Sequence, residues 1–227
     1  MKMNTFKNDL KNKNSIIFDF DGVIADTDKA RYDVLAIILK KYNIDLNCAV
    51  SIQDLAGYST RSFLINKFPL LEEREVSEIV AERRKLYLDK LDKYCKPFDL
   101  AIQTISDLYK VGFDLAIATT NDQFVMNKII HHLGIANYFT NVFTRDVIET
   151  SFNKVKNYDV VLNKWKKKAD QCIAIEDSYI GFVSANAAGI FTIKFGTYTF
   201  PQIDKVGIQV KDYYELRRLF ELKEFKG

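Results

Sequence analysis

The sequence contains few of the residues that mark several familiar protein classes. Its 227 residues include only three cysteines, three prolines, nine glycines and two histidines. Because the cysteines are far apart and odd in number, the sequence favours neither a disulfide framework nor a zinc site. The scarcity of proline and glycine excludes collagen-like and low-complexity chains. What remains is an ordinary globular protein with reduced cysteines.

An excess of charge of one sign and long apolar runs are also absent. The 33 Lys and Arg residues nearly balance the 30 Asp and Glu residues, and the net charge of +3 does not favour a nucleic-acid partner. The sequence has no run of about 18 apolar residues, the length that a membrane span requires, and its polar beginning does not resemble a signal peptide. We expect a soluble, cytoplasmic monomer or homodimer that binds neither nucleic acid nor a membrane.

Short apolar segments alternate along the chain with amphipathic helical patterns. This alternation is typical of an α/β protein with a parallel sheet covered on both faces. The sequence predicts strands at 16–20, 115–119, 142–144, 172–175, 191–194 and 206–210, and helices at 99–111, 122–132, 155–168, 179–188 and 212–223.

One long stretch interrupts the alternation. Between the first two predicted strands, helical periodicity occurs at 28–42 and 72–92, but no good strand is present. Because a single crossover is much shorter than this stretch, we expect a helical insert at 28–95. The α/β core would then comprise residues 1–27 and 96–227.

Two carboxylates lie at the end of the first predicted strand. Asp19 and Asp21 stand in the segment Asp-Phe-Asp-Gly, and ligands of open α/β sheets bind outside the carboxyl ends of the strands. Mg²⁺ prefers such hard oxygen ligands, and Gly22 permits the sharp turn that would follow. The alternative is an ordinary turn with solvated aspartates.

Further polar clusters follow the fourth and second predicted strands. Glu176 and Asp177 repeat the acidic pattern, which predicts a metal site shared with the first cluster if the two strands are neighbours. An acidic helix start is the alternative. Thr119, followed by Thr120 and Asn121, could hold phosphate oxygens with hydroxyl and backbone N–H groups, or could cap a helix.

A lysine pair lies where the helix at 155–168 is predicted to begin. If Lys154 or Lys156 faces the acids, it would offset their negative charge and hold a phosphoryl group. The alternative is a solvated lysine, a residue type that is abundant in this chain.

Together these motifs resemble the haloacid dehalogenase superfamily, specifically its phosphatases and β-phosphoglucomutase-like members with a helical cap inserted after the first strand. The matching segments keep the family's order and cover nearly the whole chain: DFDGVIADTD at 19–28, LAIATTN at 115–121, the lysines at 154–156 and IEDSYIGFVSANAAGI at 175–190. The resemblance implies a Rossmann-like parallel sheet with an α-helical cap domain, and a hydrolase whose cofactor is Mg²⁺.

The resemblance also implies a role for each candidate residue. Asp19 would be the nucleophile that forms an aspartyl phosphate, and Asp21 would protonate the leaving oxygen and then activate water. Thr119 and Lys156, or Lys154 in its place, would hold the transferring phosphoryl group. Mg²⁺ would be bound by Asp19, the backbone carbonyl of Asp21, Glu176 and Asp177, and the substrate by Gly22, Thr120, Asn121, Tyr58 and Arg61.

Two features depart from the family's patterns. The lysine motif of close relatives reads Lys-Pro-x-Pro-Asp, whereas residues 154–159 read KVKNYD, and we prefer Lys156 because the sequence after Asp159 then aligns best. Arg31 stands where the mutases carry a histidine, which favours a phosphatase. We predict Mg²⁺-dependent hydrolysis of a small phosphate monoester, either a sugar phosphate or another small organic phosphate. The alternatives are a sugar-phosphate mutase and a catalytically silent binding module.

Overall fold

The structure is a computed structural model that describes residues 12–46, 50–55, 59–148, 154–197 and 208–222. The chain divides into two compact units. One contains the residues up to Ala25 and from Pro97 onward, and the other contains Asp26–Lys96. The second unit begins at 26 rather than at the expected 28, and ends at 96 rather than at 95.

The first unit is built on a six-stranded sheet. In chain order the described residues form eight strands: β1 (Ser15–Phe18), β2 (Ala25–Asp26), β3 (Lys96–Pro97), β4 (Asp114–Ala118), β5 (Asn141–Phe143), β6 (Cys172–Glu176), β7 (Phe191–Phe195) and β8 (Ile208–Val210). Of these, β2 and β3 form a separate two-stranded sheet. The sheet order is β5-β4-β1-β6-β7-β8, and every neighbouring pair is parallel. Its central strands are buried, which explains why they read as continuous apolar runs. The predicted α/β fold with a parallel sheet is confirmed.

The first strand ends earlier than predicted: β1 ends at Phe18, one residue before Asp19. The backbone N–H of Asp19 still donates to the carbonyl oxygen of Ile175 on the neighbouring strand, with an N···O distance of 3.0 Å. The chain then turns, and the N–H of Ala25 donates back to the carbonyl of Phe20. The first of the two aspartates therefore stands at the strand end and the second lies in the turn.

Helices occur in both units. The second unit (Asp26–Lys96), called the helical unit below, contains α1 (Asp28–Leu39), α2 (Thr60–Lys67), α3 (Glu73–Asp89) and α4 (Leu91–Tyr94). It also has 3₁₀ turns at Lys40–Tyr42 and Ile52–Leu55. The sheet unit contains α5 (Ala101–Lys110), α6 (Gln123–His132), α7 (Arg145–Ile148), α8 (Lys154–Trp165), α9 (Tyr179–Ala187) and α10 (Tyr213–Leu219), with 3₁₀ turns at Ala136–Tyr138 and Ala169–Gln171.

The helical unit has an apolar core of its own. α1 and α3 coincide with the two stretches of helical periodicity in the sequence, and the described part of residues 28–94 contains no strand. The sequence did not indicate α2, because only two of its eight residues are buried and the pattern is too short to be recognised. Buried residues from the three helices meet in one cluster, among them Leu35, Leu39, Phe63, Leu64 and Ile79.

In the sheet unit, α8 and α9 pack against one face of the sheet. Their shared core with β1, β4 and β6 includes Ile17, Ala116, Ala174, Tyr158, Val161, Trp165 and Ala185. Because α8 begins with the lysine pair and carries Tyr158 on its buried side, this packing decides which of its side chains reach the strand ends.

Two expectations from composition concern the cysteines and the membrane. Cys95 and Cys172 are buried and neither forms a disulfide, and Cys48 lies outside the described residues. Among the helices that the structure describes, none is both long and apolar enough to cross a bilayer.

Candidate active site

Three carboxylates meet at the carboxyl ends of two neighbouring strands. β1 and β6 are paired so that Phe18 lies opposite Ile175, and Asp19 and Glu176 therefore follow side by side. One carboxylate oxygen from each of Asp19, Glu176 and Asp177 lies within 4.8 Å of the others. Asp19 and Glu176 are buried, and Asp177 is half-buried. The structure thus makes β1 and β6 neighbours, which was the condition for a shared metal site, and brings Asp19 of the first acidic pair together with both residues of the second.

Two glycines make room for this cluster. Gly22 has a positive φ of 76°, and a Cβ atom placed there would lie 2.0 Å from Asp177 Oδ2. A Cβ atom on Gly181 would lie 2.0 Å from Glu176 Oε2. Both distances are far below any real contact, so only glycine fits at either position without displacing a carboxylate. Gly22, predicted as a substrate contact, lies directly against the acidic cluster.

The side chain of Asp19 is held by its own backbone. Its Oδ1 accepts a hydrogen bond from the backbone N–H of Phe20 at 2.8 Å. This local bond, together with the bond of its own N–H to β6, fixes the direction in which the carboxylate leaves the strand. A buried, oriented carboxylate is the arrangement that a nucleophile needs.

A second network joins the ends of β1 and β4. Asn121 Nδ2 donates to Asp21 Oδ2 at 2.8 Å and to Thr119 Oγ1 at 3.2 Å. The Asn121 backbone N–H also donates to Thr119 Oγ1, at 3.1 Å. The buried Thr119 hydroxyl accepts both of these bonds and keeps its own O–H as a donor. Asp122 caps α6 by accepting from Val125 N–H, so capping does not account for the polar segment before it.

The structure separates Thr120 from this network. Thr120 is exposed, whereas the Asn121 side chain bonds both Asp21 and Thr119. The three consecutive residues that the sequence grouped together are therefore in different environments.

Tyr158, a residue that the sequence analysis did not single out, donates its hydroxyl to Glu176 Oε1 at 2.6 Å. Tyr158 is buried, and its pKa is raised well above the ordinary value near 10, first by burial and then by the negative charges of Glu176 and Asp19. The phenol is therefore protonated and remains a hydrogen-bond donor over the physiological pH range. The only sequence signal was a hydroxyl on the apolar side of a predicted helix.

Lys194 is a second residue that the sequence analysis missed. It is fully buried on β7, at the position paired with Glu176 of β6, and its Nζ donates to the Gly196 carbonyl at 3.0 Å. Burial lowers its pKa, and the negative charge of Asp177 partly opposes that effect. A lysine inside the apolar segment Phe-Thr-Ile-Lys-Phe was the available signal.

The remaining predicted residues are placed less completely. Lys154 and Lys156 begin α8, but the described structure does not include their side chains, and Tyr58 lies outside the described residues. Arg61 pairs with Glu73 and donates to Ser77 Oγ at 3.3 Å, both within the helical unit. The choice between the two lysines therefore stays a prediction.

The donor set of the acidic cluster fits a divalent cation. Three carboxylates, two of them buried, offer hard oxygen atoms within a few ångströms of one another, which is the chemistry that Mg²⁺ prefers. Like charges this close are unfavourable without a cation, and the glycines show that the space is shaped around the carboxylates.

Comparisons with known proteins agree with this geometry. A family model described as haloacid dehalogenase-like hydrolase matches residues 16–195. The Bacillus subtilis (strain 168) protein YhcW, described as a candidate phosphatase, is 24% identical over 180 residues, which are 78% of this chain and 80% of that protein.

Solved structures share the fold. A haloacid dehalogenase-like family hydrolase from Streptococcus pneumoniae has a TM-score of 0.75 at 19% identity, and covers 92% of this chain and 99% of its own. A β-phosphoglucomutase from Clostridium difficile has a TM-score of 0.71 at 21% identity, with coverages of 92% and 98%. The match of the family model over most of the chain, on a sheet with acids at the ends of β1 and β6, shows that the protein belongs to the haloacid dehalogenase-like hydrolases, and the prediction of an enzyme of that family is confirmed.

Proposed function

We propose that the protein is a Mg²⁺-dependent phosphatase that hydrolyses a small phosphate monoester through an aspartyl phosphate on Asp19. The observation that carries the proposal is the position of this buried carboxylate. It lies with Glu176 and Asp177 at the carboxyl ends of two neighbouring strands, and it is two residues from Asp21, which is hydrogen-bonded to Asn121. A nucleophile, a cation site and a candidate acid–base group thus occur together.

In the first step, a carboxylate oxygen of Asp19 attacks the phosphorus atom and the bond between phosphorus and the ester oxygen breaks. Asp21 gives its proton to that leaving oxygen, so that an alcohol departs. Asn121 holds the Asp21 carboxyl group by its Oδ2 and links it to Thr119. Thr119 can donate its remaining O–H to an oxygen of the phosphoryl group.

In the second step, water attacks the phosphorus of the aspartyl phosphate. Asp21 accepts a proton from that water, the bond between phosphorus and Asp19 breaks, and inorganic phosphate leaves. The Asp19 carboxylate and the protonated Asp21 are restored, so the cycle balances as hydrolysis of one ester bond.

Mg²⁺ would be held by Asp19, Glu176 and Asp177 together with the Asp21 backbone carbonyl, and when bound it would neutralise the charge that otherwise keeps a carboxylate from approaching a phosphate. Lys156, or Lys154 in its place, would add a second positive charge at the phosphoryl group. The buried Lys194 interacts electrostatically with the negative charge of Asp177.

We propose a small phosphorylated metabolite as substrate, with sugar phosphates and other small organic phosphates as the class. The nearly neutral chain supports a small molecule over a polymer. Gly22, Thr120 and Asn121 would contribute to the phosphate site, and Tyr58 and Arg61 to the rest of the substrate. The cytoplasmic location and the monomeric or dimeric state stay predictions.

The test is phosphate release from a panel of phosphate monoesters, with and without Mg²⁺, for the wild type and for Asp19→Asn. We expect release that requires both the metal and Asp19, and the ranking of the panel gives the substrate class. Formation of an isomerised sugar phosphate without free phosphate would identify a mutase instead. Release that is equal in the variant would contradict the proposed nucleophile.

A further inference from the structure

The contact between Tyr158 and Glu176 has no role in the chemistry described above. It joins a helix to the strand that follows it in the chain, since Tyr158 lies on α8 and Glu176 is the last residue of β6. At 2.6 Å it is a short hydrogen bond to a carboxylate, and both residues are buried. Hydrogen bonds from neutral donors to buried charged groups are among the stronger ones in proteins.

The hydroxyl of Tyr158 is not needed for packing. Its ring belongs to the core formed by α8, α9 and the sheet, alongside Val161 and Trp165, and a phenylalanine ring would fill the same space. A buried hydroxyl costs free energy unless it finds a partner. Its presence therefore has to be explained by the carboxylate that it contacts.

Three groups restrict the position of the Glu176 carboxylate. Tyr158 binds Oε1, and the Ser178 hydroxyl lies 3.4 Å from Oε2 while it accepts the N–H that caps α9. Gly181 leaves just enough space for the carboxylate, because a Cβ atom there would overlap with it. These groups hold Glu176 in one orientation toward Asp19 and Asp177.

We propose that Tyr158 is a positioning residue for the metal site: its hydroxyl fixes the Glu176 carboxylate in the orientation that binds Mg²⁺. The same bond ties the first turns of α8, where Lys154 and Lys156 lie, to the acidic cluster. The inference rests on the Mg²⁺ site of the proposed function, but it concerns binding of the metal and not the hydrolytic steps. Groups that orient metal ligands in this way typically change metal affinity or activity by about 10- to 100-fold when removed.

The experiment is isothermal titration of Mg²⁺ alone into the wild type, Tyr158→Phe and Trp165→Phe. Tyr158→Phe removes the hydroxyl and keeps the ring. Trp165→Phe is the matched control, because Trp165 lies on the same helix and in the same core. Its Nε1 donates to Thr140 Oγ1 at 3.2 Å and not to a residue of the acidic cluster. Thermal unfolding of each variant measures the structural cost separately.

We expect Tyr158→Phe to weaken Mg²⁺ binding by about tenfold, and Trp165→Phe to leave it unchanged even where it lowers the melting temperature more. In a Glu176→Gln background, Tyr158→Phe should cause no further loss, because the carboxylate that it orients is gone. Equal affinity of Tyr158→Phe and wild type, a loss that follows the melting temperature in both variants, or an additive loss in the double variant would each overturn the inference.

The two proposals fail separately. A wild type that binds Mg²⁺ tenfold better than Tyr158→Phe and yet releases no phosphate would support the positioning role while it overturns the phosphatase. A wild type that releases phosphate with the same Mg²⁺ affinity as Tyr158→Phe would do the reverse.

Discussion

The two ends of the parallel sheet differ in how their charged side chains are arranged. At the carboxyl end, Asp19, Glu176 and Asp177 gather three like charges within 4.8 Å. At the amino end, Asp114 faces Lys167 at 2.8 Å and accepts a hydrogen bond from Thr140 Oγ1 at 2.6 Å. A paired charge supports the fold, whereas a group of like charges weakens it until a cation binds. The contrast indicates where the sheet gives up stability for function.

A glycine substitution at the carboxyl end of the sheet should have the largest effect on activity. We expect Gly22→Ala to lower phosphate release by at least about 100-fold, because its Cβ would lie 2.0 Å from Asp177 Oδ2 and displace a carboxylate of the proposed metal site. Phosphate release and Mg²⁺ titration measure the loss.

Gly112→Ala is the matched control at the amino end. Gly112 also has a positive φ, of 97°, but a Cβ atom there would meet no atom within 4 Å. This variant should lose about 1 kcal/mol of stability from backbone strain and keep its activity. If both variants lose activity equally, the close approach of Gly22 to Asp177 is not what matters.

At the amino end, the buried Cys172 thiol should make the unfolding free energy depend on pH. Burial raises the pKa of the Cys172 thiol from 9.0 to about 11, opposed by the nearby Lys167 and Lys13. Below pH 9 the thiol is protonated in both folded and unfolded chains, so this group does not change stability there. Between pH 9 and 11 the unfolded chain loses the proton first, and folding stability falls.

Cys172→Ala isolates this contribution from other groups that titrate in the same range. We expect the wild type to lose about 2 kcal/mol more of its unfolding free energy than Cys172→Ala between pH 9 and 11. Denaturant unfolding at a series of pH values measures the difference. Parallel curves for the two proteins would show that the thiol does not need to stay neutral in the fold.

Much of the sheet and of the acidic cluster could be predicted, because both depend on short local patterns in the sequence. A buried parallel strand is an apolar run, and the residues that follow it lie at the sheet's carboxyl edge. Asp19 and Glu176 could therefore be assigned to one edge from two short segments. Their adjacency needed only that β1 and β6 be neighbours, which the structure shows.

The contacts that complete the cluster could not be predicted, because they join residues far apart in the chain through side-chain geometry. Tyr158 reaches Glu176 across 18 residues, and Lys194 approaches Asp177 from another strand. In the sequence, the tyrosine resembles a core residue of a helix and the lysine resembles any other lysine. Helix α2 was not predicted for a different reason: too few of its residues are buried to produce a recognisable helical periodicity of apolar residues.

The same substitution at the two ends should have opposite effects on stability. Without Mg²⁺, Asp19→Asn should raise the unfolding free energy by about 1 kcal/mol, because it removes one of three like charges and its amide oxygen can still accept from Phe20 N–H. Asp114→Asn should lower it by about 1 kcal/mol, because Lys167 loses its partner.

Thermal unfolding with and without Mg²⁺ checks both signs. Mg²⁺ at one fixed concentration should stabilise the wild type and Asp114→Asn alike, and should stabilise Asp19→Asn much less, because the stability gained from binding to the folded state alone rises with the logarithm of the affinity. The excess of the unfolding free energy of Asp19→Asn over that of the wild type should then become smaller or change sign. If Asp19→Asn is instead destabilised in the absence of metal, the acidic cluster is not under electrostatic strain, and the contrast between the two ends of the sheet does not hold.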